Sequence, residues 1–436
     1  MHLFLLIFYY IGCACAIAKM RFIRKSGIRP AILQALFAFH VAVGWLHNVI
    51  AWRYYPEHGD VWNNFRVSFL YRHRLTSEFN LWLSDNDTWT HISHNGMVYI
   101  QMLLNCFSFD HLDINTLLFA FPVFLGNIAL FRVLRHCLPG DPLTAICVFL
   151  LPSVLFWTSV VHREAVLYML LGFLVYNFQW LLAHGFDWRR AGYCLLCFLL
   201  IAYFRSAFAF TLLPALYAWI LADKPRIRRK LLLAGVITGG LLTLFICPVL
   251  DIPGAIARQQ QEFLGLEGHS RLPLPTLDGT WSSLLHILPA AIRNGWFEPL
   301  PGSGGQLIYW AFSLELLLIW AIVLLAIGRT LLRPKNPAPS LHALLPGAPR
   351  SPHTPPPGAP LSPREPLFNA FGVFSLLFAL IGMLLIGILV PFAGAIVRYR
   401  SLYLLFLLAP FLHSLRTLPP FKTTNTWFSK NLFYRL

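Results

Sequence analysis

Two short stretches hold side chains suited to proton transfer and anion binding. The first, Tyr54-Tyr55-Pro56-Glu57-His58-Gly59-Asp60-Val61-Trp62, puts the carboxylate of Asp60 beside a helix start. The second, Pro152-Ser153-x-x-Phe156-Trp157-x-Ser159, runs into His162-Arg163-Glu164. Arg205 stands between two apolar runs, and Arg398-Tyr399-Arg400 opens another. A positioned carboxylate can take a proton from a hydroxyl, and a planar guanidinium fork matches the oxygens of a phosphate. Each residue also has a plainer role: Asp60 as a helix N-cap, the tyrosines as an interfacial belt, each arginine as a snorkel to lipid headgroups. Arg163, Arg205, Arg398 and Arg400 together, all in short turns at span edges, suggest an anion site.

What positions them is a membrane. The 436 residues are 57% hydrophobic and 12% charged, about half the charge of a soluble domain. Too little polar surface remains for a soluble enzyme of this length, and the wealth of Phe, Leu and Trp excludes general disorder. Apolar runs near the length of a spanning helix occur at 2–18, 31–52, 112–134, 143–161, 165–183, 191–205, 206–222, 231–250, 307–328, 367–390 and 401–415. The expected fold is therefore all-α, a polytopic helical membrane protein of about 11 spans (range 9–13). The pairs 143–161/165–183 and 191–205/206–222 read as tight hairpins split at His162–Glu164 and at Arg205.

The net charge of +16 follows the same alternation. One set of loops carries 23 of the 34 basic residues against four acids; the other carries 11 basic residues and 13 acids. By the positive-inside rule the first set is cytoplasmic, the N-terminus is outside and the C-terminus inside. The basic excess is thus an orientation signal, and no nucleic-acid partner is expected. All eleven basic residues of the outer set are Arg, including the four at span edges. The first span is not a cleavable signal, because its basic cluster follows rather than precedes it. Cys194-x-x-Cys197 lies mid-helix and reads as apolar packing.

Three regions do not span. The outer loop 53–111 contains an interfacial amphipathic helix, with Trp62, Phe65, Phe69 and Leu70 as its stripe and Arg66, Arg72 and Arg74 interleaved. Its apolar stretch 97–109 is too short to cross and is re-entrant or interfacial. A second outer loop, 251–306, holds a short apolar piece at 284–292. The cytoplasmic loop 331–366 is so rich in proline that it reads as a disordered, polyproline-like linker. Glu315 lies inside span 307–328, where an acid is either paired with an outer arginine or bound to substrate. No Walker motif, HEXXH or GxSxG occurs.

A span, an aromatic-Pro turn, Gly59-Asp60 and an aromatic interfacial helix resemble the start of polytopic GT-C-type glycosyltransferases. The Pro152–Glu164 segment, Arg205 and Arg398-Tyr399-Arg400 are similar to a bacterial membrane family of that type. The resemblance covers roughly 50–220 and 390–415 through short motifs. His162-Arg163-Glu164 stands where the pattern has a basic residue followed by Asp or Glu, and Val160 where a glycine is common. It implies a multi-pass protein of the bacterial inner membrane. Its reaction would be transfer of a sugar from a polyprenyl-phosphate carrier to a glycan, lipid or protein acceptor in envelope polysaccharide assembly. Asp60 would be the catalytic base and Glu164 a second acid, with Arg163, Arg205, Arg398, Arg400 and Glu315 binding substrate. Some relatives of this type use a divalent cation; His91-x-x-His94 with Asp60 could hold a metal, or be surface histidines. An O-antigen-type polysaccharide polymerase would use the same arginines without Asp60. A transporter or lipid-carrier flippase would need charges lining a path, for which Glu315 stands alone.

Overall fold

The structure is a computed structural model and describes residues 1–54, 59–77, 96–223, 251–267, 270–302, 307–332 and 369–433. Among these residues there is no β-strand, only two isolated antiparallel bridges, Ile28 with Phe433 and Arg271 with Phe392. The chain is an all-α membrane protein: eight of its described helices are long and apolar enough to cross a bilayer. The expected span 231–250, the linker 331–366 beyond its first two residues, and His58, His91 and His94 lie outside the described residues.

The chain runs through α1 (His2–Lys19), α2 (Arg21–Arg24), α3 (Pro30–Tyr54), α4 (Asp60–Ser77), α5 (Gly96–Ser108) and α6 (Leu112–Cys137). It continues through α7 (Pro142–Leu150), α8 (Pro152–Thr158), α9 (Arg163–His184), α10 (Trp188–Phe204) and α11 (Ser206–Asp223). Then come α12 (Ile252–Leu264), α13 (Trp281–His286), α14 (Leu288–Ile292), α15 (Leu307–Leu332), α16 (Ala370–Leu389), α17 (Ala393–Ser414) and α18 (Pro419–Leu432). The buried core is formed mainly by α6, α9, α16 and α17.

Three features depart from expectation. The run 143–161 is not one span. Pro152 has no N–H to continue the helix, Leu151 turns extended (φ −66°, ψ 117°), and α7 and α8 result. The last span begins at Ala393 rather than 401, so Arg398 and Arg400 lie inside α17. The buried residues of α4 are Val61 and Ser68, with Trp62 and Phe65 packed beside Val61, whereas Phe69 and Leu70 are exposed. The reason is polar: Ser68 accepts from Asn105 of α5 at 2.9 Å, and that hydrogen bond turns the helix. The basic C-terminal tail forms the amphipathic helix α18.

A buried amide network holds the end of the bundle that carries Asp60. Asn115 donates to Asn105 at 2.5 Å and to Gln101 at 3.4 Å, and Asn48 donates to Thr116 at 2.8 Å. The Trp62 indole donates to the Asn48 carbonyl at 3.1 Å, tying α4 to α3. Such groups are costly to bury unless paired, so the pairing fixes where α4 begins. In the second loop, buried Gln260 donates to the Ile388 carbonyl at 2.9 Å and accepts from the Leu277 N–H at 2.9 Å. It pins α12 over the end of α16.

Glycines set the close crossings. A Cβ on Gly126 would lie 2.6 Å from the Met169 Cα, and one on Gly172 would meet the Gly126 carbonyl. Helices α6 and α9 approach this closely because neither carries a side chain there, the usual device of membrane helix pairs. Gly172→Val should destabilise the fold by about 1–3 kcal/mol through overpacking, read as a lower unfolding temperature in detergent. Gly192→Ala, where nothing lies within 4 Å, should leave that temperature unchanged or raise it.

Candidate active site

The site is built around a buried carboxylate. After α8 the chain bends through Ser159–Val161, and His162 is extended (φ −136°, ψ 157°) as the N-cap position of α9. Gly44 of α3 permits the bend, since a Cβ there would lie 2.7 Å from Thr116 Cγ2 and strike the Ser159 carbonyl. Glu164, in the first turn of α9, has no exposed side-chain surface. A lone charge so placed would be prohibitively costly, and three cationic groups surround it. His162 Nδ1 is in direct contact with Oε2, Arg205 Nη2 lies 3.3 Å from Oε1, and Arg398 Nε lies 3.5 Å from Oε1.

Those cations come from separate elements. Arg205 is the extended residue (φ −160°, ψ 95°) that ends α10 before α11 restarts at Ser206. Its guanidinium lies 3.6 Å from the Tyr399 ring centroid, a favourable cation–π geometry. Arg398 donates from Nη2 to the Tyr399 hydroxyl at 2.9 Å and from Nη1 to Asp60 Oδ2 at 2.6 Å. It therefore bridges both carboxylates. His162 Nε2 faces Asp60 Oδ2 at 3.3 Å, so the imidazole lies between Glu164 and Asp60. Nε2 is also 3.4 Å from Arg398 Nη1; it can donate to Asp60 or accept from Arg398, but not both at once. The direction of that hydrogen bond reports the protonation of His162.

Beside this cluster is a cavity of about 320 Å³, near the small end of ligand pockets. Arg163, Arg205 and Tyr399 line its polar part, and Phe208, Leu385 and Leu389 its apolar part. Arg163 makes no hydrogen bond or ion pair among the described residues. The charged groups that line the recess are the guanidinium groups of Arg163 and Arg205, so its polar end is cationic. A polar cationic end joined to an apolar end suits an amphiphilic anion.

The structure thus brings together Asp60, Glu164, Arg205 and Arg398, with Arg163 on the same cavity. It does not bring Arg400 to it. Residues two apart on a helix point about 200° apart, and Arg400 is buried on the other side, donating from Nη1 to the carbonyls of Gly295 (3.2 Å) and Glu298 (2.6 Å). Glu315 is also elsewhere, and its partner is not an arginine. Its carboxylate accepts from the Ser153 N–H at 3.1 Å and from the Ser153 hydroxyl at 3.1 Å, capping the α8 start that Pro152 creates. His91 and His94 lie outside the described residues. A divalent cation at Asp60 or Glu164 would have to displace Arg398 or His162. Two members of the cluster had no assigned role, His162 and Tyr399. Their signals were present in the sequence: an imidazole two residues from an acid, and an aromatic between two arginines.

For Asp60, burial would raise the carboxyl pKa, but the His162 hydrogen bond and the Arg398 charge outweigh it and hold it well below the usual range. Burial would lower the pKa of His162, but Glu164 and the hydrogen bond to Asp60 outweigh it and raise it. A raised histidine contributes stability below its unfolded value of about 6.5, lost as pH rises through the folded value. The depressed Asp60 contributes stability above its unfolded value of about 3.9, lost as pH falls. Wild type should therefore lose thermal stability on the alkaline side of pH 6.5, and His162→Gln should flatten that limb and also weaken the acid limb, because it removes one of the two partners that depress Asp60. Unfolding temperature against pH for the two proteins measures this. No family model, no curated protein and no solved structure matches the chain.

Proposed function

We propose that the protein is a membrane glycosyltransferase that takes a sugar from a polyprenyl-phosphate carrier and passes it to a hydroxyl of a glycan, lipid or protein acceptor. The observation that carries this is the Asp60–Arg398 contact beside the arginine-lined, half-apolar cavity. A phosphate-linked donor needs cations at the leaving group and a carboxylate at the incoming hydroxyl; the cluster offers both within one network.

In this reading Arg163 and Arg205 receive the carrier phosphate, and the apolar walls receive the start of its isoprenoid chain. The phosphate draws the Arg398 guanidinium toward itself. Asp60, losing its closest cation, becomes a stronger base and takes the proton of the acceptor hydroxyl. The acceptor oxygen bonds to the anomeric carbon as the carbon–oxygen bond to phosphate breaks. The electron pair leaves with the phosphate, which the arginines neutralise. Glu164 fixes His162, Arg205 and Arg398 and is a positioning residue. The involvement of Asp60 in the cluster favours this over a polymerase using arginines alone. The positive-inside bias supports a site on the outer face, and the resemblance of the sequence motifs supports residence in a bacterial inner membrane.

Purified protein supplied with radiolabelled polyprenyl-phosphate sugars and glycolipid acceptors tests the reading. Asp60→Asn should lower transfer at least about 100-fold. Arg205→Lys, which keeps charge but loses the fork, should raise the donor KM more than it lowers kcat. Full transfer by Asp60→Asn would remove the assigned base. Absence of transfer from any such donor, alongside lipid or ion flux, would favour a transporter.

A further inference from the structure

We propose that His2, His111 and Asp113 form a site for a divalent transition metal of the zinc type, away from the Asp60–Arg398 cluster. His2 opens α1, His111 is the extended N-cap position of α6 (φ −106°, ψ 111°), and Asp113 lies in the first turn of α6. Their donor atoms all lie within 4.8 Å of one another. The two imidazole centroids are 4.4 Å apart, and His2 Nε2 is 2.6 Å from Asp113 Oδ2. Tetrahedral zinc with bonds of about 2.0–2.1 Å sets its ligand atoms about 3.3 Å apart. Closing the longest gap takes roughly 1.5 Å, within reach of side-chain rotation alone.

The backbones are already held. The Trp45 indole donates to the Asp113 carbonyl at 3.0 Å, and the Tyr9 hydroxyl of α1 donates to the Phe107 carbonyl at 2.9 Å. Two imidazoles and one carboxylate are a borderline donor set, suited to zinc and its neighbours and not to the all-oxygen preference of magnesium or calcium. Three protein ligands leave a fourth position for water. The side chains of His2 and Asp113 are 43% and 38% exposed, so an aqueous ion has access. The positive ends of two helices oppose a cation there, and the Asp113 charge offsets them.

A metal here has a mechanical consequence. The buried residues of α1 are Cys13 and Ile17, both in its second half. Its first half is only partly buried, packing on the core through Leu6, Tyr9 and Tyr10, and its first residue is held by the His2–Asp113 contact. The ion would clamp that half to α6, whose buried face is the core of the protein.

The test uses full-length protein purified through a tag without histidine and stripped with a chelator. Titration with Zn2+, and with Co2+ followed by its visible absorption, should show one ion per chain. Zn2+ should also raise the unfolding temperature. Asp113→Asn and His111→Gln should each weaken Zn2+ binding at least about 100-fold and abolish the thermal shift while remaining folded. The paired His91→Gln/His94→Gln variant should bind as wild type does. No saturable uptake, or uptake unchanged by Asp113→Asn and His111→Gln, would overturn the site.

Discussion

A carboxylate with no exposed surface, Glu164, dictates how this end of the bundle is assembled. Buried among apolar helices, it is stable only if cations reach it, and they come from the bend before α9, the break between α10 and α11, and the first turns of α17. Those three segments are thereby fixed to one point. The same cations reach past Glu164: Arg398 and His162 both contact Asp60, which is 52% exposed on its side chain. A structural requirement, neutralising one buried acid, leaves a second acid at the surface held by partners that an incoming anion could compete for.

The same physics explains the residues that stay apart. Pro152 breaks a helix and leaves the Ser153 N–H without a helical partner, and Glu315 from α15 accepts from it. Arg400 satisfies the carbonyls at the π-helical turn Arg293–Phe297 and just after it. Both are charges deep in a membrane protein, where function is the usual suspicion. Both are accounted for by backbone groups that proline and an irregular turn leave unpaired.

Much of the architecture was legible because membrane spans depend on the length of apolar runs. Helices cover 2–18, 31–52, 165–183 and 307–328 within a few residues, and the break at Arg205 falls where the sequence puts it. The faces of helices were less legible. A start at 401 places Arg398 and Arg400 together in a turn, whereas the start at Ala393 sends them to opposite sides. Likewise Ser68, a polar residue, takes the buried face of α4, because its partner Asn105 is 37 residues away. Convergence of Asp60, Glu164, Arg205 and Arg398 was conceivable from their shared loop set. The bridging role of His162 and the stacking of Arg205 on Tyr399 required coordinates, because the sequence does not say which turns meet.

Competition for Arg398 is the central claim, and it has a sign that few alternatives share. Equilibrium binding of a polyprenyl phosphate to the protein in nanodiscs, comparing wild type with Asp60→Ala and Arg205→Ala, tests it most directly. Removing Asp60 frees the guanidinium, so its loss should tighten phosphate binding by about tenfold, roughly 1.4 kcal/mol, while Arg205→Ala weakens it. Affinity that falls on removing Asp60, or that neither substitution changes, would contradict the account.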